Sequence, residues 1–478
     1  MSAPVRRAVV IATARPTFAI DVARRRADAA RALLVELGAE VSGPGELVMT
    51  PEDVEKAATY LDAASDLGDG DLVVNVCASF SDAGPALRLY RDLNRPVLLW
   101  SFREPGPVGD RLWLNSLCGA NLFGHALVRA GGQVRLVYGD PDEPHVADAL
   151  RTALAGTLPP APALPNRRLP RGDRDRARAA VDSLRGNRIG AIGDAPPGFT
   201  PSEFDPALLE SLFGLTVEPL TVEQIFDRVR SVEDAERDRE LVAATARQPS
   251  LHALDAEVVT RHAAVTSALR DWSAREALSA VAVRCWPEFP TELGVCPCSS
   301  LSRLADAGVP TQCERDVHGA VTMLLLEALG SGTTYLVDTV ELDAAQNLVR
   351  LWHCGSAATE LAADPARATQ FVHCNRKIGV AGNFPLRPGR VVMARLTEDV
   401  HGQGSSGLRL LVASGESLPA VNRFQGNTAD VRLDADAAAF VHGLVTGGFP
   451  HHTVLAWTDV RPELRAAADH LGIPVTEW

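Results

Sequence analysis

The chain has 478 residues, a formal net charge of -13, 46% hydrophobic and 22% charged residues, enough for about three domains of roughly 150 residues with the composition of an ordinary globular protein rather than a disordered one. The acidic balance excludes nucleic acid as the main partner, because phosphate binding needs clustered Lys and Arg. No stretch reaches the roughly 18 uninterrupted apolar residues of a membrane-spanning helix, so no membrane partner is expected.

Met1-Ser2-Ala3-Pro4-Val5-Arg6-Arg7 runs straight into a strand with no long apolar segment behind it, so no secretory leader and a cytoplasmic location are expected. Ala8-Val9-Val10-Ile11-Ala12 is a continuous apolar run, as in a buried parallel strand. Residues 21–37 read as a helix with Gly38 as the C-terminal signal, and Pro51-Glu52-Asp53 opens the next helix. Residues 71–76, 96–100 and 134–138 read as strands. Strands separated by helical patterns imply βαβ units and a doubly wound sheet.

Residues 157–175 break the pattern. Pro159, Pro160, Pro162, Pro165 and Pro170, interleaved with Arg167, Arg168, Arg171 and Arg174, read as a stiff solvated linker. A second α/β segment follows. Its strand at 188–192 ends in Gly190-Ala191-Ile192-Gly193, too short a glycine pattern for a nucleotide site. Helices are expected near 203–213, 222–230 and 252–270, and a strand at 280–286. From about Ser331, short β-type runs punctuated by Gly and Pro indicate an antiparallel, barrel-like β domain, closed by a helix at 462–471 and a terminal strand. The expected fold is therefore α/β: two doubly wound α/β domains followed by an antiparallel β-barrel-like C-terminal domain. The boundaries are 1–156 for the first domain, 157–175 for the linker, 176–330 for the second and 331–478 for the third.

The eight cysteines are scattered apart from Cys296-Pro297-Cys298. Cys285, Cys296, Cys298 and Cys313 lack the paired two-residue knuckles of a zinc site and read as buried thiols. Cys354 beside His353 is not expected to act as a thiol nucleophile, because neighbours on a strand point to opposite faces.

Three polar clusters carry chemistry. Cys313-Glu314-Arg315-Asp316 stands at the mouth of a strongly apolar helix, where either acid can cap the helix or serve a site. Asp338 ends the strand-like Thr334-Tyr335-Leu336-Val337, and His451-His452 follows Gly447-Gly448-Phe449-Pro450. Two acids and a histidine on different elements suit a hard divalent cation with positions left for substrate. Trp286 can stack on a sugar face or fill a core. Arg15 follows the first strand, where open α/β sheets bind ligands. The segment from Trp100 to Pro105 ends another strand, either lining the same cleft or forming a surface turn.

Trp286-Pro287-Glu288-Phe289, Cys313-Glu314-x-Asp316, Trp352-His353-Cys354-Gly355, Phe384-Pro385-x-x-Pro388-Gly389 and Gly448-Phe449-Pro450-His451-His452 occur in this order. Together they resemble the L-fucose isomerase / L-arabinose isomerase family, best from about Ala280 onward. The resemblance implies an aldose–ketose isomerase that works through an enediolate and binds Mn²⁺, with Mg²⁺ or Co²⁺ as alternatives. By position, Glu314, Asp338 and His452 match its metal ligands, with His451 as the fallback. Glu314 and Asp338 match its catalytic acid/base pair, and His353 its additional histidine near the metal. The resemblance further implies a homotrimer or homohexamer in which the region of Arg15 reaches a neighbouring subunit's site. Two other readings stay open: a related enzyme for epimerisation or carbon–carbon cleavage, and a sugar-binding protein without turnover.

Overall fold

The computed structural model describes residues 6–64, 66–68, 70–165 and 172–478. The first sheet holds β1 (Arg6–Thr13), β2 (Ala39–Ser42), β3 (Leu72–Cys77), β4 (Val97–Ser101) and β5 (Val134–Tyr138), all parallel, in the order β2-β1-β3-β4-β5. Its strands are apolar throughout because helices cover both faces. Ile20–Glu36 and Pro144–Leu154 pack on one face through Ala23, Ala30, Leu34, Val146 and Leu150. The helix Ser116–Arg129 packs on the other and shares its core with the C-terminal sheet. The helix Pro51–Ala63 starts with Thr50 and Asp53 exchanging side-chain-to-backbone hydrogen bonds, a reciprocal cap.

The second sheet is also parallel: β6 (Arg188–Ile192), β7 (Thr216–Leu220), β8 (Leu278–Val283) and β9 (Thr311–Cys313), in the order β7-β6-β8-β9. Its core continues without a break into the third sheet through the helix Val317–Ala328. Residues 1–5 and, within the expected linker, Arg167, Arg168, Pro170 and Arg171 lie outside the described residues. The far end of that linker is already helical: Arg174–Ser183 begins there, capped by Asp173.

The third sheet contains β10 (Tyr335–Asp343), β11 (Leu348–His353), β12 (Thr369–Val372), β13 (Gly379–Pro385), β14 (Gly389–Glu398), β15 (Leu408–Leu418), β16 (Asn427–Leu433), β17 (His452–Ala456) and β18 (Val475–Glu477). The order is β12-β13-β16-β11-β10-β17-β14-β15-β18, and β15 pairs with β16 as well. It is a large mixed sheet rather than the purely antiparallel one expected, because β13–β16 and β15–β18 are parallel. No helix among the described residues is long and apolar enough to cross a membrane.

Candidate active site

Three sheets deliver side chains to one pocket. Two of them do so from the carboxyl ends of parallel strands, where open α/β sheets expose polar groups to ligands. Arg15 lies just beyond β1, Trp286 beyond β8, and Glu314 directly after β9. Glu314 and Arg315 both adopt left-handed backbone, φ 58° and 57°, which non-glycine residues rarely do. That turn aims the Glu314 carboxylate into the pocket. The cap of the following helix falls instead to Asp316, whose Oδ1 accepts the Gly319 N–H at 2.8 Å.

The third sheet supplies the other face. Asp338 on β10 is the antiparallel register partner of His452 on β17 and, on its other side, of Trp352 on β11. Cross-strand partners present their side chains on one face. His452 Nε2 lies 3.1 Å from Glu314 Oε2 and 3.6 Å from Asp338 Oδ1, and His451 Nε2 is 3.7 Å from Glu314 Oε2. Glu314, His353 and His452 each offer a donor atom within 4.8 Å of the others, and Cys118, Asp338 and His451 form an adjoining group. Glu314, Asp338 and His452, picked from sequence as a metal set, therefore converge, and His353 stands beside them.

Asp338 Oδ1 and His452 Nε2 are buried without a hydrogen-bond partner among the described residues. Buried polar atoms of this kind are rare and costly unless a ligand completes them. Oxygen donors with one or two imidazoles suit a hard or borderline divalent cation. His452 Nδ1 is 2.9 Å from Asp316 Oδ2, and Asp316 pairs with the fully buried Arg395. A carboxylate behind a histidine is the usual device for orienting an imidazole toward a metal.

Charge is unevenly shared across the cluster. Burial pushes Asp338 up to about 7, with Glu314 adding to the rise and His452 opposing it. Burial acts on Glu314 in the same direction, but the adjoining His451 and His452 imidazoles hold it well below the usual carboxylate range. His452 is raised to about 10 because Asp316 and Glu314 outweigh its burial. Burial lowers His451 to about 4 and His353 to about 3. Two acids thus sit side by side, one held ionised and one poised near neutrality.

Trp286 is part of the pocket wall rather than core, and its indole N–H donates to Glu314 Oε1 at 2.9 Å. Arg15 lines the pocket of its own chain, with its guanidinium 4.4 Å from the Trp286 ring centroid. The segment after β4 does not reach the cleft. Trp100 and Phe102 are wholly buried, Arg103 pairs with Glu143, and Glu104 accepts the backbone N–H groups of Trp113, Leu114 and Asn115.

Cys354 and His353 do meet, with Sγ 3.3 Å from Nδ1, because β11 ends at His353 and the chain bends before Cys354. Contact with Cys298 and burial keep the Cys354 thiol well above its ordinary pKa, so it is not a thiolate. All eight cysteines are free. Sequence reading missed His373, Asn375 and Arg376, which also line the pocket. Their run, His373-Cys374-Asn375-Arg376-Lys377, is a polar cluster between two strand patterns and was the available signal.

No protein-family profile matches the chain. A sulfoquinovose isomerase of Alkalicoccus urumqiensis is 34% identical over 465 residues, 97% of each chain. One from Priestia megaterium is 32% identical over 451 residues, 94% of each, and one from Clostridium sp. is 30% identical over 461 residues, 96% of each.

Proposed function

The chain belongs to the sulfoquinovose isomerase family, and from that premise we propose that it interconverts sulfoquinovose, an aldose with a sulfonate on its terminal carbon, and the corresponding ketose. It is an enzyme, an aldose–ketose isomerase. The sugar named for its relatives is neither L-fucose nor L-arabinose, so the resemblance seen in the sequence holds for the kind of reaction rather than for the sugar.

The observation that carries the reading is the pair of unpartnered buried atoms, Asp338 Oδ1 and His452 Nε2, facing Glu314. Glu314, Asp338 and His452, with His353 beside them, are the residues we propose hold a divalent cation: Mn²⁺ first, with Mg²⁺ or Co²⁺ as alternatives. Such an ion, when bound, acts as a Lewis acid toward the oxygens on the two reacting carbons. Isomerisation moves a proton between those carbons through an enediolate. Asp338 and Glu314, the two carboxylates facing the pocket, are the groups we propose take and return it. Glu314 stays ionised and shares the histidines. His451 packs edge-on against Phe80 and Phe199, which keep the pocket apolar behind the polar cluster. Assembly as a homotrimer or homohexamer is part of the same reading, and light scattering after gel filtration checks it.

The decisive experiment incubates Mn²⁺-loaded protein with sulfoquinovose, glucose, L-fucose and L-arabinose in D₂O and follows the products by NMR. Sulfoquinovose is expected to give its ketose with deuterium gained at the carbon that lost the proton. No interconversion of any sugar, with manganese shown to be bound, would sink the reading, and an epimer or a cleaved product would move the chain to another enediolate reaction. Glu314→Gln should abolish turnover while sugar binding persists.

A further inference from the structure

The pocket carries more positive charge than the metal-site residues account for. Its acidic lining residues are Glu314 and Asp338, both committed to the cluster described above, and its lining arginines are Arg15 and Arg376. Among the described residues neither guanidinium has a hydrogen bond or ion pair. Only their backbone N–H groups are engaged, Arg15 with Ser79 Oγ at 3.0 Å and Arg376 with His373 Nδ1 at 3.3 Å. Both side chains stand over one aromatic ring: Cζ of Arg15 is 4.4 Å and Cζ of Arg376 5.4 Å from the Trp286 centroid.

Stacking alone does not explain the pair. One arginine on a tryptophan is a favourable cation–π contact, but a second cation at the same ring adds repulsion. Burial pulls Arg15 below its ordinary pKa and the repulsion from Arg376 adds to it, against the attraction of Asp82 and Glu314. Two half-buried guanidiniums at one ring, each with its N–H groups unspent, form a site that an anion completes.

We infer that Arg15 and Arg376 are the anion subsite of this pocket, binding the sulfonate of the sugar while Glu314 and Asp338 face its reacting end. This rests on the isomerase reading above. Trp286 ties the two ends together. Its N–H is fixed on Glu314 Oε1 and its ring carries both cations, so the distance between the reacting carbons and the charged tail is set by one rigid side chain. Asn115 Oδ1 and Asn375 Oδ1, both without partners among the described residues, line the same pocket and are acceptors for sugar hydroxyls. A neutral aldose of the same stereochemistry leaves two cations uncompensated. Discrimination in this pocket therefore comes from charge at the far end rather than from ring shape alone.

The test compares sulfoquinovose with 6-deoxyglucose, which keeps the ring and lacks the sulfonate. Affinities come from calorimetry and kcat/KM from NMR, for the wild type and for Arg15→Met, Arg376→Met and Arg15→Lys. Each methionine variant is expected to lower the preference for sulfoquinovose by about 10- to 100-fold, and Arg15→Lys to restore part of it. If both sugars lose affinity together, so that the preference stays within about threefold of wild type, the subsite is overturned and the arginines are structural. Arg376 lies on the turn between β12 and β13, so its variant tests the subsite even if Arg15→Met, next to a core strand, fails to fold. A wild type that binds sulfoquinovose by charge yet isomerises neither sugar would overturn the isomerase reading and leave the subsite standing.

Discussion

The Nδ1 of His452 lies 2.9 Å from Asp316 Oδ2, and this contact decides which nitrogen of the ring faces the pocket. Asp316 is held in turn by Arg395, and the side chains of both are fully buried. An ion pair of this kind sets geometry more than it stabilises, because desolvation offsets most of the Coulomb attraction.

Asp316→Asn tests that chain. Removing one partner of a buried pair leaves Arg395 uncompensated and should cost about 3–5 kcal/mol in urea unfolding. In the protein that remains folded, Mn²⁺ affinity should fall by about 10- to 100-fold, as expected when the group behind a metal-binding histidine is lost. Unchanged affinity, measured by calorimetry, would show that Asp316 does not orient His452.

Metal binding should depend on pH in two limbs. Asp338 holds its proton up to about 7 and His452 up to about 10 in the metal-free protein, and a cation must displace both. The two groups are neighbours and titrate as a coupled set. The affinity should rise about tenfold per pH unit between about 7 and 10, and about a hundredfold per unit below 7. Asp338→Asn should remove the steeper limb. A chelator competition series across pH reads both slopes.

Glu104 gives a stability term away from the site. Burial raises it from 4.5 to about 7 despite three backbone N–H donors. A group whose folded pKa is raised binds more protons when folded. Its contribution is complete below about 4.5 and is lost as pH rises through 7. The wild type should therefore lose about 3 kcal/mol relative to Glu104→Gln across that window. Equal pH slopes for the two proteins in urea titrations would refute the assignment.

The thiols should be inert in the native protein. Cys354 is half-buried and lines the pocket, whereas the other seven cysteines are buried. Its Sγ is 4.0 Å from Cys298 Sγ, and contact with neighbouring thiols, together with burial, raises both. A thiol-specific chromogenic reagent should label Cys354 first and slowly, sulfoquinovose should protect it, and all eight should react in denaturant. Fast labelling of several thiols without denaturant would contradict this burial.

Much of the local structure was legible because its signals are local. The apolar run at β1, the proline and acids opening Pro51–Ala63, and the helix at 222–230 each appear where the pattern put them. The helix Ser116–Arg129 was not read from the sequence. It is buried on every side between two sheets, so it carries no polar face and no 3.6-residue alternation to reveal it. The parallel pairings of β13 with β16 and of β15 with β18 were hidden for another reason: strand direction is settled by the path of the chain, and composition does not record it.

The sequence by itself determined which residue types were available for chemistry: two acids, a histidine pair and a tryptophan, in an order that marked the reaction class. Tertiary structure alone decided how they meet. The register that sets Asp338 opposite His452, the buried Arg395 that fixes Asp316, and the gathering of Arg15 and Arg376 at Trp286 all join residues far apart in the chain. Such contacts arise only when three sheets pack around one pocket, because side-chain distance across a fold is set by packing and not by spacing along the backbone.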